Sequence, residues 1–233
     1  WAELFKALKE SKPSLFFRVL GAASALKPLF PEIFALFGVP QISQHHPEVD
    51  AGIHTLLALD QAASMSASPE VCFAVLLHDL GKGLTSPLDW PSHPDHEVLG
   101  LQLMDALCRR LKVPHRFEQL ARKVMQYHGL AHRALLLSPG EMLLLFEKLD
   151  LYRKKEDLEA FLVACLADAR GCLGHELRTY EQAEWLRRAF SATKEAKLSP
   201  EEAKALSGSD FGKALRAKRL NLLIEARRTF PSP

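Results

Sequence analysis

The 233 residues carry 30 Lys and Arg against 28 Asp and Glu, a net charge of +2 that is too mild to demand a nucleic-acid partner. Apolar residues make up 48% of the chain, enough for a proper core. No apolar run approaches the roughly 18 residues of a membrane span, and no signal-peptide pattern occurs, so a cytoplasmic protein is expected. The four cysteines, Cys72, Cys108, Cys165 and Cys172, are widely spaced with no C-x-x-C pair. That spacing argues against a disulfide framework or a cysteine zinc site and for a reducing compartment.

Taken in chain order, the punctuation is helical. The chain opens at Trp1 and reads as trimmed, its first helix continuing something upstream. An irregular stretch over residues 38–50 holds Pro40, His45, His46 and Pro47, and a helix is expected near 50–66. Ser68-Pro69-Glu70 places a cap residue before a proline at the first helical position, ahead of the apolar run Val71 to Leu77. His78-Asp79 ends that helix, and Gly81 is expected as the left-handed residue that stops it. A second irregular stretch, 81–95, holds two glycines and three prolines. Helical spacing resumes near 95–112, where Leu99, Leu103, Leu107 and Leu111 line one face, with His93 and His96 placed at its start. Further helices are expected near 115–132, 139–149, 155–171, 178–197 and 209–229. Ser138 with Glu141 and Ser199 with Glu202 read as capping boxes. No period-2 alternation between hairpin turns occurs, so the fold class is all-α. The composition shift over 191–208 suggests a looser link to the last helix.

Ten histidines are many for this length, and their placement is uneven. His54 lies on the first long helix, His78-Asp79 at the end of a buried one, and His128 and His132 one turn apart on a later one. Asp168 sits in Ala167-Asp168-Ala169-Arg170-Gly171. Burying His78 and Asp79 among Leu76, Leu77 and Leu80 is costly unless something pairs them, which points to a metal. His54, His78, Asp79 and Asp168 make a mixed nitrogen/oxygen set suited to Mn, Fe, Co, Ni or Zn and less to Mg. Asp79 is placed to bridge to a second ion held by His96 and His128. Such an ion lowers the pKa of bound water toward about 7, and Lys82 is placed to offset charge developing on a phosphate. His128 and His132 lack the glutamate of an H-E-x-x-H zinc motif. His115 and His175 read as hydrogen-bonded core residues.

His78-Asp79-Leu80-Gly81-Lys82, with His54 upstream and Ala167-Asp168 downstream, resembles the HD superfamily of metal-dependent phosphohydrolases. Leu29-Phe30-Pro31-Glu32-Ile33, Gly38-Val39-Pro40, His46-Pro47-Glu48-Val49-Asp50 and Gly52-Ile53-His54-Thr55-Leu56 narrow this to similarity with the C-terminal half of bacterial multifunctional CCA-adding enzymes (tRNA nucleotidyltransferases), from about Leu15 to Arg188. The resemblance implies an HD helical bundle. It divides the chain into 1–40, the end of the neck and body helices, 41–190, the HD domain, and 191–233, a C-terminal helical tail. It implies His54, His78, Asp79 and Asp168 as metal ligands, Asp79 and Lys82 as catalytic, and His96 and His128 toward a second metal or phosphate. Asp150 competes with Asp168 for the distal carboxylate. The cofactor implied is a divalent metal, Ni, Mn, Co or Mg.

The activities implied are 2′,3′-cyclic phosphodiesterase, 2′-nucleotidase and phosphatase. Substrates would be tRNA or nucleotides bearing a cyclic phosphate or phosphomonoester. A nucleotidyltransferase head in the same polypeptide and a homodimer are the implied partners, with no membrane. The Gly-Gly segment and D-x-D pair of that head do not occur here, so CCA addition is not expected of this chain alone. The competing readings are a non-catalytic tRNA-binding or dimerisation module with a vestigial metal site, and a nucleotide-sensing HD domain. Two basic stretches bear on them. Residues 109–123 read as a solvated face, whereas Lys213, Arg216 and Arg219 on the last helix are candidates for an RNA backbone.

Overall fold

A computed structural model describes residues 1–44 and 46–230; His45 and the last three residues of the expected tail lie outside the described residues. Thirteen α-helices and two short 3-10 turns account for the regular structure of the described residues, and no strand occurs among them. The expected all-α class is thus the observed one. The residues fall into two compact units: 1–128 with 159–179, and 129–158 with 180–233.

The first unit begins with four short helices, α1 (Ala2–Ala7), α2 (Ser14–Ala22), α3 (Leu26–Leu29) and α4 (Pro31–Phe34). Trp1 anchors this end by stacking edge-on against Phe73 and Phe117, with ring centroids 5.6 and 4.8 Å apart. Asp60 then ties α2 to α5 (Ala51–Ser64) by accepting both the backbone N–H and the hydroxyl of Ser14. Asp50 starts α5 from the N-cap position. One of its carboxylate oxygens accepts the Ile53 N–H at 2.8 Å, and the other accepts Gly38 N–H at 2.6 Å across the loop.

Helix α6 (Pro69–Leu77) is capped by Ser68, as expected, and carries no polar face: Val71 to Leu77 are all buried. It is therefore a central helix, and the residues directly after Leu77 are delivered into the interior. Gly81 does not stop it. The helix yields at His78 to a 3-10 turn, Leu80–Leu84, and Gly81 has no left-handed backbone. The glycine is needed for close approach instead. A Cβ there would strike the carbonyl oxygen of His96 and lie 2.6 Å from the backbone nitrogen of Gly100, both on α7 (His96–Leu111). His93 is likewise outside α7, in a left-handed turn (φ 50°). Its Nε2–H donates to Pro40 O at 2.7 Å and its Nδ1 meets the Thr85 hydroxyl at 2.6 Å, so it pins the two irregular loops together.

Helix α8 (His115–His132) and α10 (Asp157–Arg170) complete the set of helices that carry residues to the buried interior of the first unit. The end of α10 crosses α5 very closely, because a Cβ on Gly171 would lie only 2.5–2.6 Å from Ala58. In the second unit, α9 (Pro139–Lys148) and α12 (Pro200–Ala205) start with both expected capping boxes. Helices α11 (Glu181–Lys194) and α13 (Gly208–Thr229) pack there around Trp185, Phe190 and Leu223. His115 is a surface residue, its side chain 76% exposed, rather than a core histidine, and His175 is half-buried.

Candidate metal centre

Five elements of the first unit converge on one buried point: α5 with His54, the end of α6 with His78 and Asp79, the start of α7 with His96, α8 with His128, and α10 with Asp168. Four of these residues, His54, His78, Asp79 and Asp168, are 0–6% exposed. The close crossings at Gly81 and Gly171 set their spacing. His54 Nε2 lies 2.9 Å from Asp168 Oδ1, and His78 Nε2 lies 3.1 Å from Asp79 Oδ2 and 3.5 Å from Asp168 Oδ1. The other oxygen of Asp79 faces His96 Nε2 at 3.3 Å and His128 Nε2 at 3.6 Å.

The orientation of the four imidazoles is uniform. His78 Nδ1–H donates to Val75 O at 2.7 Å, His96 Nδ1–H to His93 O at 2.9 Å, and His128 Nδ1–H to Val124 O at 3.0 Å. His54 Nδ1 sits 2.9 Å from Glu48 Oε1, a side chain with no exposure. Each ring thus spends its Nδ1 proton on a protein acceptor and turns Nε2 toward the two carboxylates. That tautomer is the one metal-ligating histidines adopt when an outer acceptor holds the far nitrogen.

The inner atoms are close to one another without being well-directed hydrogen bonds. His78 Nε2, His96 Nε2 and both oxygens of Asp79 are buried and lack an aligned hydrogen bond, although Oδ2 is ion-paired to Lys82. Orphaned buried polar atoms of this kind are costly, and an ion coordinated between them removes the cost. Three overlapping sets have ligand atoms within 4.8 Å of one another: His54, His78 and Asp79; His78, His128 and Asp168; and Asp79, His96 and His128. The residues present therefore fit a divalent cation.

The electrostatics agree with that fit. Burial alone would push His78 down, yet Asp79 and Asp168 outweigh it and raise its pKa to about 9. Burial likewise opposes a charge on His54, and contacts to Asp168, Cys172 and Glu48 raise it well above the usual imidazole value. For Asp79 burial works upward, but His78 and Lys82 hold the carboxyl well below its usual range. The centre thus concentrates negative potential and draws positive charge to itself.

Lys82 is buried, with Nζ 2.6 Å from Asp79 Oδ2 and a hydrogen bond to Gln41 Oε1. Its ammonium lies at the centre, paired to a carboxylate. Asp150 is not in the cluster. It belongs to the second unit, in a left-handed turn, with Arg153 3.8 Å away. His132 also belongs to the second unit, where its Nδ1 meets the Tyr180 hydroxyl at 2.9 Å.

The three basic candidates of α13 have partners within the second unit: Lys213 pairs with Asp210, Arg216 with Glu147, and Arg219 stacks 3.5 Å over the Tyr152 ring. In the basic stretch 109–123, Arg110 forks onto Glu32, Arg116 pairs with Glu70, and Arg122 with Asp105 and Glu118. The sequence did not mark Glu48, His46, Gln41 or Cys172 as functional. The His46-Pro47-Glu48 string just ahead of the helix bearing His54 was the available signal.

The model of the HD domain family matches residues 52–170. A protein named "Multifunctional CCA protein" from Methylococcus capsulatus is 52% identical over 221 residues, covering 94% of this chain and 52% of that relative. Proteins of the same name from Pseudomonas aeruginosa and Nitrosococcus oceani are 46% and 45% identical over 223 and 229 residues, covering 96% and 98% of the chain. They are matched over 54% and 56% of their own lengths. The chain thus spans about half the length of the curated relatives it matches. No helix among the described residues is long and apolar enough to cross a membrane.

Proposed function

The chain belongs to the HD domain family, a metal-dependent phosphohydrolase superfamily, and from that premise we propose that the buried centre binds divalent metal and hydrolyses phosphate esters. The substrates of this reading are 2′,3′-cyclic phosphates and phosphomonoesters, including those at tRNA 3′ ends. The reading places the chain as the HD portion of a CCA-type enzyme in the cytoplasm. One observation supports it above others: four imidazoles with anchored Nδ1 present Nε2 to two buried carboxylates. His54, His78, Asp79 and Asp168 are the proposed ligands of one ion, and Asp79 with His96 and His128 those of a second or of a phosphate oxygen. The nitrogen-rich set favours Ni, Co or Mn over Mg.

When bound, the ion supplies a Lewis-acid contact to a phosphate oxygen and brings the pKa of water toward neutrality. The protein supplies the rest. Asp79, common to both proposed ligand sets, is the carboxylate placed to orient an attacking water between them. Lys82, held against Asp79 and Gln41, carries the positive charge that stabilises a developing phosphorane oxyanion once substrate competes for it. Glu48 fixes the ring plane and tautomer of His54 from behind.

The direct test is hydrolysis of 2′,3′-cyclic AMP and p-nitrophenyl phosphate across a panel of Ni, Co, Mn, Mg and Zn. Turnover with one or more of the first three is expected. Absence of turnover with every metal, alongside salt-sensitive tRNA binding, would instead support the non-catalytic module. Glu48→Gln retains an oxygen for His54 Nδ1–H but removes its charge. It should weaken Mn²⁺ binding about tenfold, toward the lower end of outer-partner effects, as read by calorimetry.

A further inference from the structure

The nitrogen of His54 that faces away from Asp168 looks into a second group of ligand-type side chains. His46, Glu48, His54 and Cys172 bring ligand atoms within 4.8 Å of one another. His46 Nδ1 lies 3.2 Å from Glu48 Oε1 and 3.5 Å from Cys172 Sγ. Cys172 Sγ is 3.9 Å from His54 Nδ1, which in turn is 2.9 Å from Glu48 Oε1. Around a tetrahedral zinc ion, bonds of about 2.3 Å to sulfur and 2.0–2.1 Å to nitrogen and oxygen imply nitrogen–sulfur edges of roughly 3.5 Å and nitrogen–oxygen edges of roughly 3.3 Å. The His46–Cys172 and His46–Glu48 separations already have those lengths.

We propose that His46 Nδ1, Glu48 Oε1 and Cys172 Sγ form a second, outer site for a thiophilic divalent cation of the zinc type, with a solvent molecule as the fourth ligand on the exposed His46 side. The donor set is chemically distinct from the inner one, since it alone contains sulfur, and thiolate selects zinc-like ions over Mg or Mn. Cys172 and the Glu48 carboxylate are buried, while the His46 side chain is 21% exposed and forms the rim through which an ion enters. On binding, the Cys172 thiol gives up its proton to solvent, and the thiolate and the Glu48 carboxylate balance the charge of the ion. The two positions are linked through Glu48, so occupancy of the outer one draws on the oxygen that orients His54 for the inner one.

Co²⁺ titration of the full chain in the near ultraviolet tests this without reference to turnover, because thiolate bonded to cobalt gives a charge-transfer band. Among the described residues Cys72, Cys108 and Cys165 belong to no ligand group, so the band reports Cys172. The band is expected in the wild-type chain and in Asp79→Asn, which removes a carboxylate of the inner cluster only, and is expected to vanish in Cys172→Ser. His46→Gln retains the thiol, and there the band should need about tenfold or more cobalt to reach half height. Absence of the band in the wild-type chain, its survival in Cys172→Ser, an unshifted titration in His46→Gln, or its loss in Asp79→Asn would each overturn the outer site. The last would assign the thiol to the inner ion.

Discussion

In Asp79→Asn, hydrolysis of 2′,3′-cyclic AMP is expected to fall by more than about 10³-fold, beyond what a single preorganised hydrogen-bond donor is worth. Metal analysis of the purified variant should find the inner ion gone. The expectation rests on how many groups this one carboxylate serves. Its Oδ2 meets His78 and Lys82, and its Oδ1 meets His96 and His128. It also joins two of the three inner ligand sets. Truncation to alanine would leave the buried Lys82 ammonium with neither a charge nor an acceptor oxygen at that position, a loss of about 3–5 kcal/mol for a broken buried pair. Asparagine also breaks the ion pair but keeps the volume and an amide oxygen that accepts from Lys82, which retains Gln41 as well. With the negative charge gone, His78 has less reason to hold a proton. Circular dichroism and urea unfolding should therefore show a folded chain. Asp150→Asn, at the competing carboxylate paired with Arg153, is expected to leave turnover unchanged. Wild-type turnover in Asp79→Asn would remove the centre from the chemistry altogether.

The features legible in the sequence were the local ones. The capping boxes at Ser138 and Ser199 need only residues three apart, and both form. The all-α class follows from such caps and from apolar spacing along each helix. His78-Asp79 stood out because the seven apolar residues before it leave its helix no polar face. The co-ligands were a different matter. His54 and Asp168 lie 114 residues apart and meet only because Gly171 lets α10 close on α5. Cys172 and His46, 126 residues apart, carry no mark that joins them. Widely spaced cysteines do argue against an all-cysteine zinc site, but not against one thiol in a mixed set assembled by the fold. His93 was expected in a helix because helical spacing does not reveal a left-handed turn, and its two ring nitrogens prove more useful as a clasp between loops.

Gly81 presents the second large effect, and it separates two readings of one residue. Had it been a left-handed stop, alanine there would cost mainly backbone strain of about 1 kcal/mol. The observed backbone is not left-handed, and the space for a Cβ is filled by main chain of α7: the His96 carbonyl and the Gly100 nitrogen. Main chain cannot swing aside like the tip of a flexible side chain, so the 3-10 turn and α7 must part. Gly81→Ala is therefore expected to destabilise the first unit by about 2–3 kcal/mol, at the upper end for overpacking, as read from the urea midpoint. It should also weaken metal binding, because separation carries His96 away from Asp79, now 3.3 Å distant. Gly83→Ala, two residues on, meets Ala35 at 3.2 Å and beyond, a contact that small shifts relieve, and should lose well under half as much stability. Equal losses in the two variants would mean that the turn, rather than its approach to α7, is what the glycine serves. A larger loss at Gly81, accompanied by weaker Mn²⁺ binding, would tie the packing of this one residue to the assembly of the metal centre.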